Sequence, residues 1–167
     1  MIRTIRNFLV LAALTLLSQQ SYAQLSTQHA AGVRFGSSTG FNYRYALSED
    51  RAVEGILSIQ SNSTSNRLRI VGLYQYHKPL MGDFSWYYGF GGSVGSYKYK
   101  SFTNAQGIRV DSNSEVALSI DGIVGVEYNI PSAPIALSLD IKPYLDFVQE
   151  STIRLIDPVG FSIRYKF

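Results

Sequence analysis

From about residue 28 to the last residue, apolar and polar side chains alternate with a period of two. In the last seven residues the even positions carry hydroxyl or cationic groups, and the odd positions carry Phe161, Ile163, Tyr165 and Phe167. Successive side chains of a β-strand point to opposite faces, so this period predicts strands rather than helices. It also predicts a sheet whose two faces meet different surroundings.

Eight alternating segments follow one another, with expected bounds at 28–36, 40–47, 52–60, 67–77, 84–98, 115–130, 135–148 and 161–167. Outside residues 1–23, no segment has a helical period. Pro143 lies inside the seventh segment, where it removes a backbone donor, so we expect a bulge or local distortion there. The pattern predicts an all-β fold, an eight-stranded antiparallel up-and-down barrel.

The N-terminal residues have the three parts of a secretory signal peptide. Two arginines form a charged start, residues 8–17 form an apolar run, and Ser21–Ala23 form a small-x-small cleavage site. The apolar run is too short for a helical membrane span, which needs about 20 residues. We therefore expect a cleaved signal peptide at 1–23 and one barrel domain at 24–167.

Charge and cysteine content exclude several classes of function. The full chain has a net charge of +3, but removing Arg3 and Arg6 with the signal peptide lowers the count of Lys and Arg from 15 to 13, against 12 Asp and Glu. A nearly neutral chain without a basic cluster is not expected to bind nucleic acid. The chain has no cysteine, which excludes disulfides and thiolate metal sites.

The apolar faces carry large aromatic residues near the ends of the strands. We expect an aromatic girdle on the outside of the barrel, formed by Tyr45, Tyr74, Tyr76, Trp86 and Tyr128. Tyr and Trp concentrate at membrane–water interfaces. Because no apolar run after the signal peptide is long enough for a helical span, a membrane form must be a closed barrel. The alternative is a secreted, lipocalin-like barrel whose polar face meets water.

The polar faces carry most of the charged residues. The set consists of Arg34, Arg44, Glu54, Arg67, Arg69, Asp121, Glu127, Asp140, Lys142, Asp146 and Arg164. Eight strands leave an interior just wide enough for side chains to fill. We therefore expect these cations and anions to form a lumen charge network that plugs the barrel.

The connections between segments alternate in length. Short turns are expected at 48–50, 79–83 and 131–134, and longer loops at 61–66, 100–114 and 150–157. Short turns at one end and mostly longer loops at the other are typical of outer-membrane barrels, whose short turns face the periplasm. An even number of strands then places both termini on the periplasmic side.

As a whole, residues 24–167 resemble the small eight-stranded outer-membrane barrels of the OmpA and OmpX type. The resemblance lies in strand number, turn lengths, aromatic strand ends, charged interior and terminal aromatic residue, and not in a sequence motif. It implies a place in the bacterial outer membrane, in contact with outer-membrane lipid and lipopolysaccharide. It also implies that Phe161, Ile163, Tyr165 and Phe167 form an assembly signal read by the barrel-assembly machinery.

The resemblance implies a structural or interaction role: envelope integrity, adhesion, or a subunit of a larger outer-membrane complex. The alternative is a lipid A-modifying enzyme or a small channel. Lipid A enzymes of this fold need a His at the outer-leaflet end, whereas His29 and His77 are expected at periplasmic strand ends. We therefore predict no enzyme activity, no cofactor and no metal site, and interpret the inward aspartates as partners of the lumen cations.

The loop at 100–114 is the longest of the predicted external loops. Lys98, Lys100, Phe102 and Arg109 are candidates for contact with lipopolysaccharide phosphates or with a protein partner. The alternative interpretation is a mobile polar loop without a partner.

Overall fold

The structure is a computed structural model that describes residues 25, 27–36, 38–61, 65–99, 102–103, 109–110, 114–147, 152–154 and 159–167. Its strands are β1 His29–Gly36, β2 Thr39–Ala46, β3 Arg51–Ser61, β4 Ser65–Met81, β5 Phe84–Tyr99, β6 Phe102–Thr103, β7 Arg109–Val110, β8 Ser114–Asn129, β9 Ile135–Ile141, β10 Tyr144–Asp146, β11 Thr152–Arg154 and β12 Gly160–Lys166. The predicted signal peptide lies outside the described residues, so its cleavage stays a prediction.

The strands close into one barrel. Neighbours in sequence pair antiparallel from β1 to β5, β5 pairs with β8, β8 with β9, β9 with β12, and β12 with β1. The short β10 and β11 pair with each other beside β8 and extend the seventh and eighth strands. The two short strands β6 and β7 form a separate ribbon. The predicted all-β, eight-stranded antiparallel barrel is confirmed.

The two ends of the barrel differ in their connections. One end, called the turn end here, carries residues 47–50, 82–83 and 131–134 together with the start of β1 and the end of β12. The opposite end, called the loop end here, carries the connections after β1, β3 and β5. The chain therefore runs up and down between the turn end and the loop end.

The seventh strand is interrupted where the sequence predicts a distortion. β9 ends at Ile141 and β10 begins at Tyr144, with Lys142 and Pro143 between them. Pro143 has no N–H to donate, but its carbonyl still accepts a hydrogen bond from the Gly122 N–H at 2.9 Å. The strand therefore stays attached to β8 on both sides of the break.

The turn between β4 and β5 is shorter than predicted. The expected turn at 79–83 is wrong, because β4 continues to Met81 and only Gly82 and Asp83 form the turn. Gly82 has a φ of 56°, in the left-handed region that a two-residue hairpin turn requires and that glycine adopts without strain. Pro79 is accommodated because the register shifts between Pro79 and Met81.

The apolar face of the sheet points outward. On β9, Leu139 is 51% exposed, whereas its neighbour Asp140 is 2% exposed. The same alternation holds along β12, where Ile163 is 39% and Arg164 1% exposed. Large apolar side chains thus cover the outer wall and most charged ones lie inside, the reverse of a water-soluble barrel. Within the described residues, no helix is long and apolar enough to cross a membrane.

Candidate functional site

The charged residues of the predicted lumen network lie inside the barrel. Eight of them are almost fully buried: Arg34, Arg44, Glu54, Asp121, Glu127, Asp140, Lys142 and Arg164. Arg69 and Asp146 form a pair that is slightly exposed, and Arg67 is half-buried. Their arrangement into contacts is the main feature of the interior.

Four of these residues form a connected group, called the ionic layer here: Arg44, Glu54, Glu127 and Arg164. Arg164 donates to Glu54 Oε1 at 2.7 Å and to Glu127 Oε2 at 3.1 Å. Arg44 also donates to Glu127, through Nη1 at 2.5 Å and Nη2 at 3.0 Å. Because Arg164 donates to two carboxylates and Glu127 accepts from two guanidiniums, the four charged side chains form one chain of contacts.

The ionic layer crosses the interior from wall to wall. In the order of strands around the barrel, β2 with Arg44 and β8 with Glu127 are four strands apart, which places them on opposite walls. Arg164 on β12 reaches Glu54 on β3, three strands away. Such contacts are within reach because eight strands enclose a narrow interior.

Neutral polar side chains complete the surroundings of the acids. Glu54 accepts hydrogen bonds from Asn42 Nδ2 at 2.7 Å and from Gln75 Nε2 at 2.5 Å. Ser138 Oγ accepts one from Arg164 Nη1 at 2.7 Å. Asn42, Gln75 and Ser138 are not among the predicted site residues, although each occupies an inward position in the alternation, which is the signal that could have identified it. Buried charges need such additional bonds to offset the loss of water.

A second group lies beside the ionic layer. Arg34 Nη1 donates to both carboxylate oxygens of Asp140, at 2.5 and 2.6 Å. The Tyr87 hydroxyl donates to Asp140 Oδ2 at 3.0 Å. Arg34 is on β1 and Asp140 on β9, with β12 between them. This pair therefore also spans part of the interior instead of joining adjacent strands.

Two further pairs lie toward the loop end. Arg69 Nη2 is 2.9 Å from Asp146 Oδ1, and Lys142 Nζ is 3.0 Å from Asp121 Oδ1. Both cations lie near the ring of Tyr144, with Arg69 Cζ 4.0 Å and Lys142 Nζ 5.5 Å from its centroid. Cations over an aromatic face are attracted to its π-electrons. Ser119 also donates to Asp146.

The interior contains an apolar cluster that the sequence analysis did not predict. Ile56, Val71, Leu73, Tyr87 and Ile123 are buried together inside the barrel. Val71 and Leu73 break the alternation of β4 because they occupy inward positions. Their burial explains the departure, since apolar groups fill interior space that charges do not use.

The predicted girdle residues lie on the outer wall near the turn end. Tyr74 and Tyr76 have ring centroids 5.2 Å apart, and Trp86 is 5.2 Å from Tyr88. Tyr128 lies 4.7 Å from Phe84 on the neighbouring strand. Tyr45 accepts a hydrogen bond from Gln28 Nε2 at 2.8 Å. Their role as a membrane-interface girdle stays a prediction.

The last residue helps to close the barrel. Phe167 and His29 exchange two backbone hydrogen bonds, at 2.9 and 3.2 Å, and their rings stack at 5.6 Å. The predicted signal residues Phe161, Ile163 and Tyr165 all point outward on β12. Their recognition by the assembly machinery stays a prediction.

The two histidines lie in different surroundings. His29 Nδ1 is 2.7 Å from the Tyr43 hydroxyl near the outer surface. His77 is buried, with Nε2 3.2 Å from Gln75 Oε1 and its ring stacked on Tyr87 at 5.1 Å. Among the described residues, no group of three or more His, Cys, Asp or Glu side chains is arranged to hold a metal ion.

The predicted contact loop falls mostly outside the described residues. Within it the structure describes the backbone pairing of Phe102 with Val110 and of Thr103 with Arg109. The side chains of Lys98, Lys100, Phe102 and Arg109 lie outside what the structure describes.

No protein-family model matches the sequence, and no curated protein matches it. Among solved structures, the chain is similar to the N-terminal β-barrel domain of Pseudomonas aeruginosa OprF, with a TM-score of 0.60 and 10% identity over 83% of this chain and 95% of that chain. Neisserial surface protein A (NspA) gives a TM-score of 0.51 and 15% identity over 83% and 93% of the two chains. Ail, the attachment invasion locus protein of Yersinia pestis, gives a TM-score of 0.46 and 16% identity over 83% of this chain and 93% of that chain.

The first two matches, at 10% and 15% identity, show a shared fold. The predicted resemblance to small eight-stranded outer-membrane barrels is confirmed at the level of the fold.

Proposed function

We propose that this protein is an integral outer-membrane barrel with a structural or interaction role, closed inside by its own charged side chains. The observation that carries the proposal is the ionic layer, in which Arg44 and Glu127 join opposite walls while Arg164 joins Glu127 to Glu54. Opening a path through this layer would separate buried charges from their partners, which is strongly unfavourable. A closed interior supports a role carried by the outer surface and the loops.

Conductance measurements test the closed interior. We expect the reconstituted wild-type protein to give no ion current above that of protein-free bilayers. Arg164→Ala removes the side chain that contacts both Glu54 and Glu127, and we expect it to raise the current. Arg51→Ala, on the outer surface, is the matched control and should behave as wild type. A steady current through the wild-type protein equal to that of R164A would contradict the proposal.

We propose no lipid A chemistry for this chain. The described contacts of His77 are with Gln75 and Tyr87, and those of His29 are with Tyr43, Tyr45 and Phe167. A general base that activates a serine must lie within hydrogen-bond reach of that serine. Mass spectra of lipid A from cells with the wild-type protein, H29A and H77A should be identical. A lipid A species that disappears in either variant would show an enzyme.

The interaction role is assigned to the loop at 100–114, with lipopolysaccharide or a protein as partner. Replacing residues 101–113 by a short Gly-Ser linker should leave the barrel folded, because β5 and β8 pair along their full length without the loop. Crosslinking in intact cells should then lose any partner that the wild-type protein captures. Equal capture by both forms would place the contact elsewhere.

A further inference from the structure

The outer wall of the barrel is almost uncharged. Along the strands, the side chains that the structure describes on this wall include two charged ones, Arg51 and Lys78. Both lie at the turn end, on the adjacent strands β3 and β4. Placing two cations together on an otherwise apolar wall points to an anionic group held beside them.

The two cations are close enough to share one ligand. Arg51 is opposite Tyr76 in the register of β3 and β4, and Lys78 lies two residues further along β4. Such diagonal neighbours are about 7–8 Å apart, which is within reach of long side chains. Both are exposed, so their charged ends are available to a ligand.

Aromatic rings form the floor beneath these cations. Arg51 Cζ lies 5.9 Å from the Tyr76 ring centroid, and Lys78 Nζ lies 6.0 Å from Trp86 and 5.9 Å from Tyr88. The rings of Tyr76 and Tyr88 are stacked at 5.4 Å. Tyr and Trp rings near the end of the strands suit the boundary between lipid headgroups and acyl chains.

One carboxylate completes the cluster. Asp50 Oδ1 is 3.7 Å from Arg51 Nε, in the turn that precedes β3. The Ser48 hydroxyl donates a hydrogen bond to Asp50 at 2.7 Å, which lowers the pKa of that carboxyl below its ordinary value. The Asp50 carbonyl accepts a bond from the His77 N–H at 2.7 Å, so the turn is attached to β4.

We infer that this cluster, the rim site of Asp50, Arg51, Tyr76, Lys78, Trp86 and Tyr88, binds the headgroup of phosphatidylethanolamine in the periplasmic leaflet. The phosphate lies between Arg51 and Lys78, and the primary ammonium donates to Asp50. The acyl chains run along the apolar wall above the rings. The inference rests on the proposed outer-membrane function.

The three charges select a zwitterion with hydrogen-bond donors. Phosphatidylglycerol could place its phosphate between the same two cations, but it offers Asp50 a neutral hydroxyl in place of an ammonium, and a hydrogen bond from an ionised donor is the stronger one. Phosphatidylcholine carries a quaternary ammonium, which has no N–H to donate to the carboxylate. The phosphate of phosphatidylethanolamine meets the two cations Arg51 and Lys78, and its primary ammonium meets the carboxylate of Asp50.

Trp86 makes the rim site directly observable, because it is the one tryptophan in the chain. The protein is folded into phosphatidylcholine vesicles that contain the same small fraction of brominated phosphatidylethanolamine, phosphatidylglycerol or phosphatidylcholine. Bromine quenches Trp86 fluorescence only at short range, so quenching reports the lipid that lies beside the ring. We expect enrichment of phosphatidylethanolamine by about two- to fivefold over the other two, the range of exposed ion pairs.

Two variants and one control identify the groups responsible. Arg51→Gln with Lys78→Gln should abolish the enrichment, and Asp50→Asn should make phosphatidylglycerol equal to phosphatidylethanolamine. Lys166→Gln is the control, because Lys166 lies at the same end but donates to Asn129 at 3.0 Å instead of joining the rim site. Wild-type and K166Q proteins should give the same enrichment.

The outcomes separate this inference from the function on which it rests. Equal quenching by all three brominated lipids, or stronger quenching by phosphatidylglycerol in the wild type, overturns the rim site and leaves the membrane barrel intact. No quenching by any brominated lipid means that Trp86 does not meet the membrane, which overturns both.

Discussion

The inner and outer walls of the barrel are built from the same strands but follow different rules. Inside, Arg164 donates to Glu54 and Glu127, and each of these contacts depends on one particular partner. Outside, the neighbouring Ile163 and Tyr165 are exposed, and an apolar environment without any particular partner is sufficient for them. The stability of the inner wall therefore depends on which side chains are paired, whereas that of the outer wall depends on how apolar its side chains are on average. Predictions about the two walls should differ in the same way.

The largest effect is expected inside, at Arg164. Arg164→Gln deprives buried Glu54 of its charged partner, and breaking a buried ion pair costs about 3–5 kcal/mol of unfolding free energy. Urea unfolding in lipid vesicles measures the loss. Adding Glu54→Gln to the same variant should recover part of it, because the unpaired carboxylate is removed. A loss below about 1 kcal/mol in R164Q, as for exposed pairs, would show that the ionic layer is not a tight unit.

The next effect is expected on the outer wall, at Leu139. Leu139→Arg places a cation near the bilayer midplane, at a cost of about 2–4 kcal/mol, whereas Leu139→Ile should change little. Single cysteines at 137, 139 and 141 should resist a membrane-impermeant thiol reagent and be quenched by lipid-borne probes. Cysteines at 138, 140 and 142 should not be quenched by those probes. The opposite pattern would make the protein a water-soluble barrel.

A smaller effect is expected at the loop end of the interior. The side chains of Arg69 and Asp146 are 11% and 12% exposed, so water reaches this pair more than the ionic layer. Arg69→Gln should therefore cost less than R164Q, on the order of 1 kcal/mol, in the same urea assay. Equal losses in the two variants would mean that both ends of the interior are equally sealed from water.

The smallest effect on stability is expected at Phe167. Removing this residue deletes two backbone hydrogen bonds and one ring contact with His29 at the end of a strand. The unfolding free energy should change by about 1 kcal/mol or less, while the folded fraction in the outer membrane should fall. Heat-modifiable mobility on gels measures that fraction. Unchanged folded levels would count against an assembly signal.

Much of this architecture could be predicted because alternation is a local property. Strand number and the division of each strand into an apolar and a polar face follow from side chains two residues apart. The distortion at Pro143 follows from the backbone donor that proline lacks. The end of β4 could not be predicted in this way, since the register shift near Pro79 depends on pairing with β5. The burial of Val71 and Leu73 could not be predicted from alternation either, because their interior neighbours come from other strands.

The sequence alone determined which residues share a face, because the pleat of a strand sends successive side chains to opposite sides whatever the fold. It therefore placed Arg44, Glu54, Glu127 and Arg164 on the polar face of their strands, opposite the apolar side chains. Only the closed barrel decided which of them meet, since Arg164 and Glu54 are 110 residues apart and Arg44 and Glu127 are 83 apart. Their pairing depends on strand order, register and the width of the interior, which are properties of the assembled sheet and not of any segment.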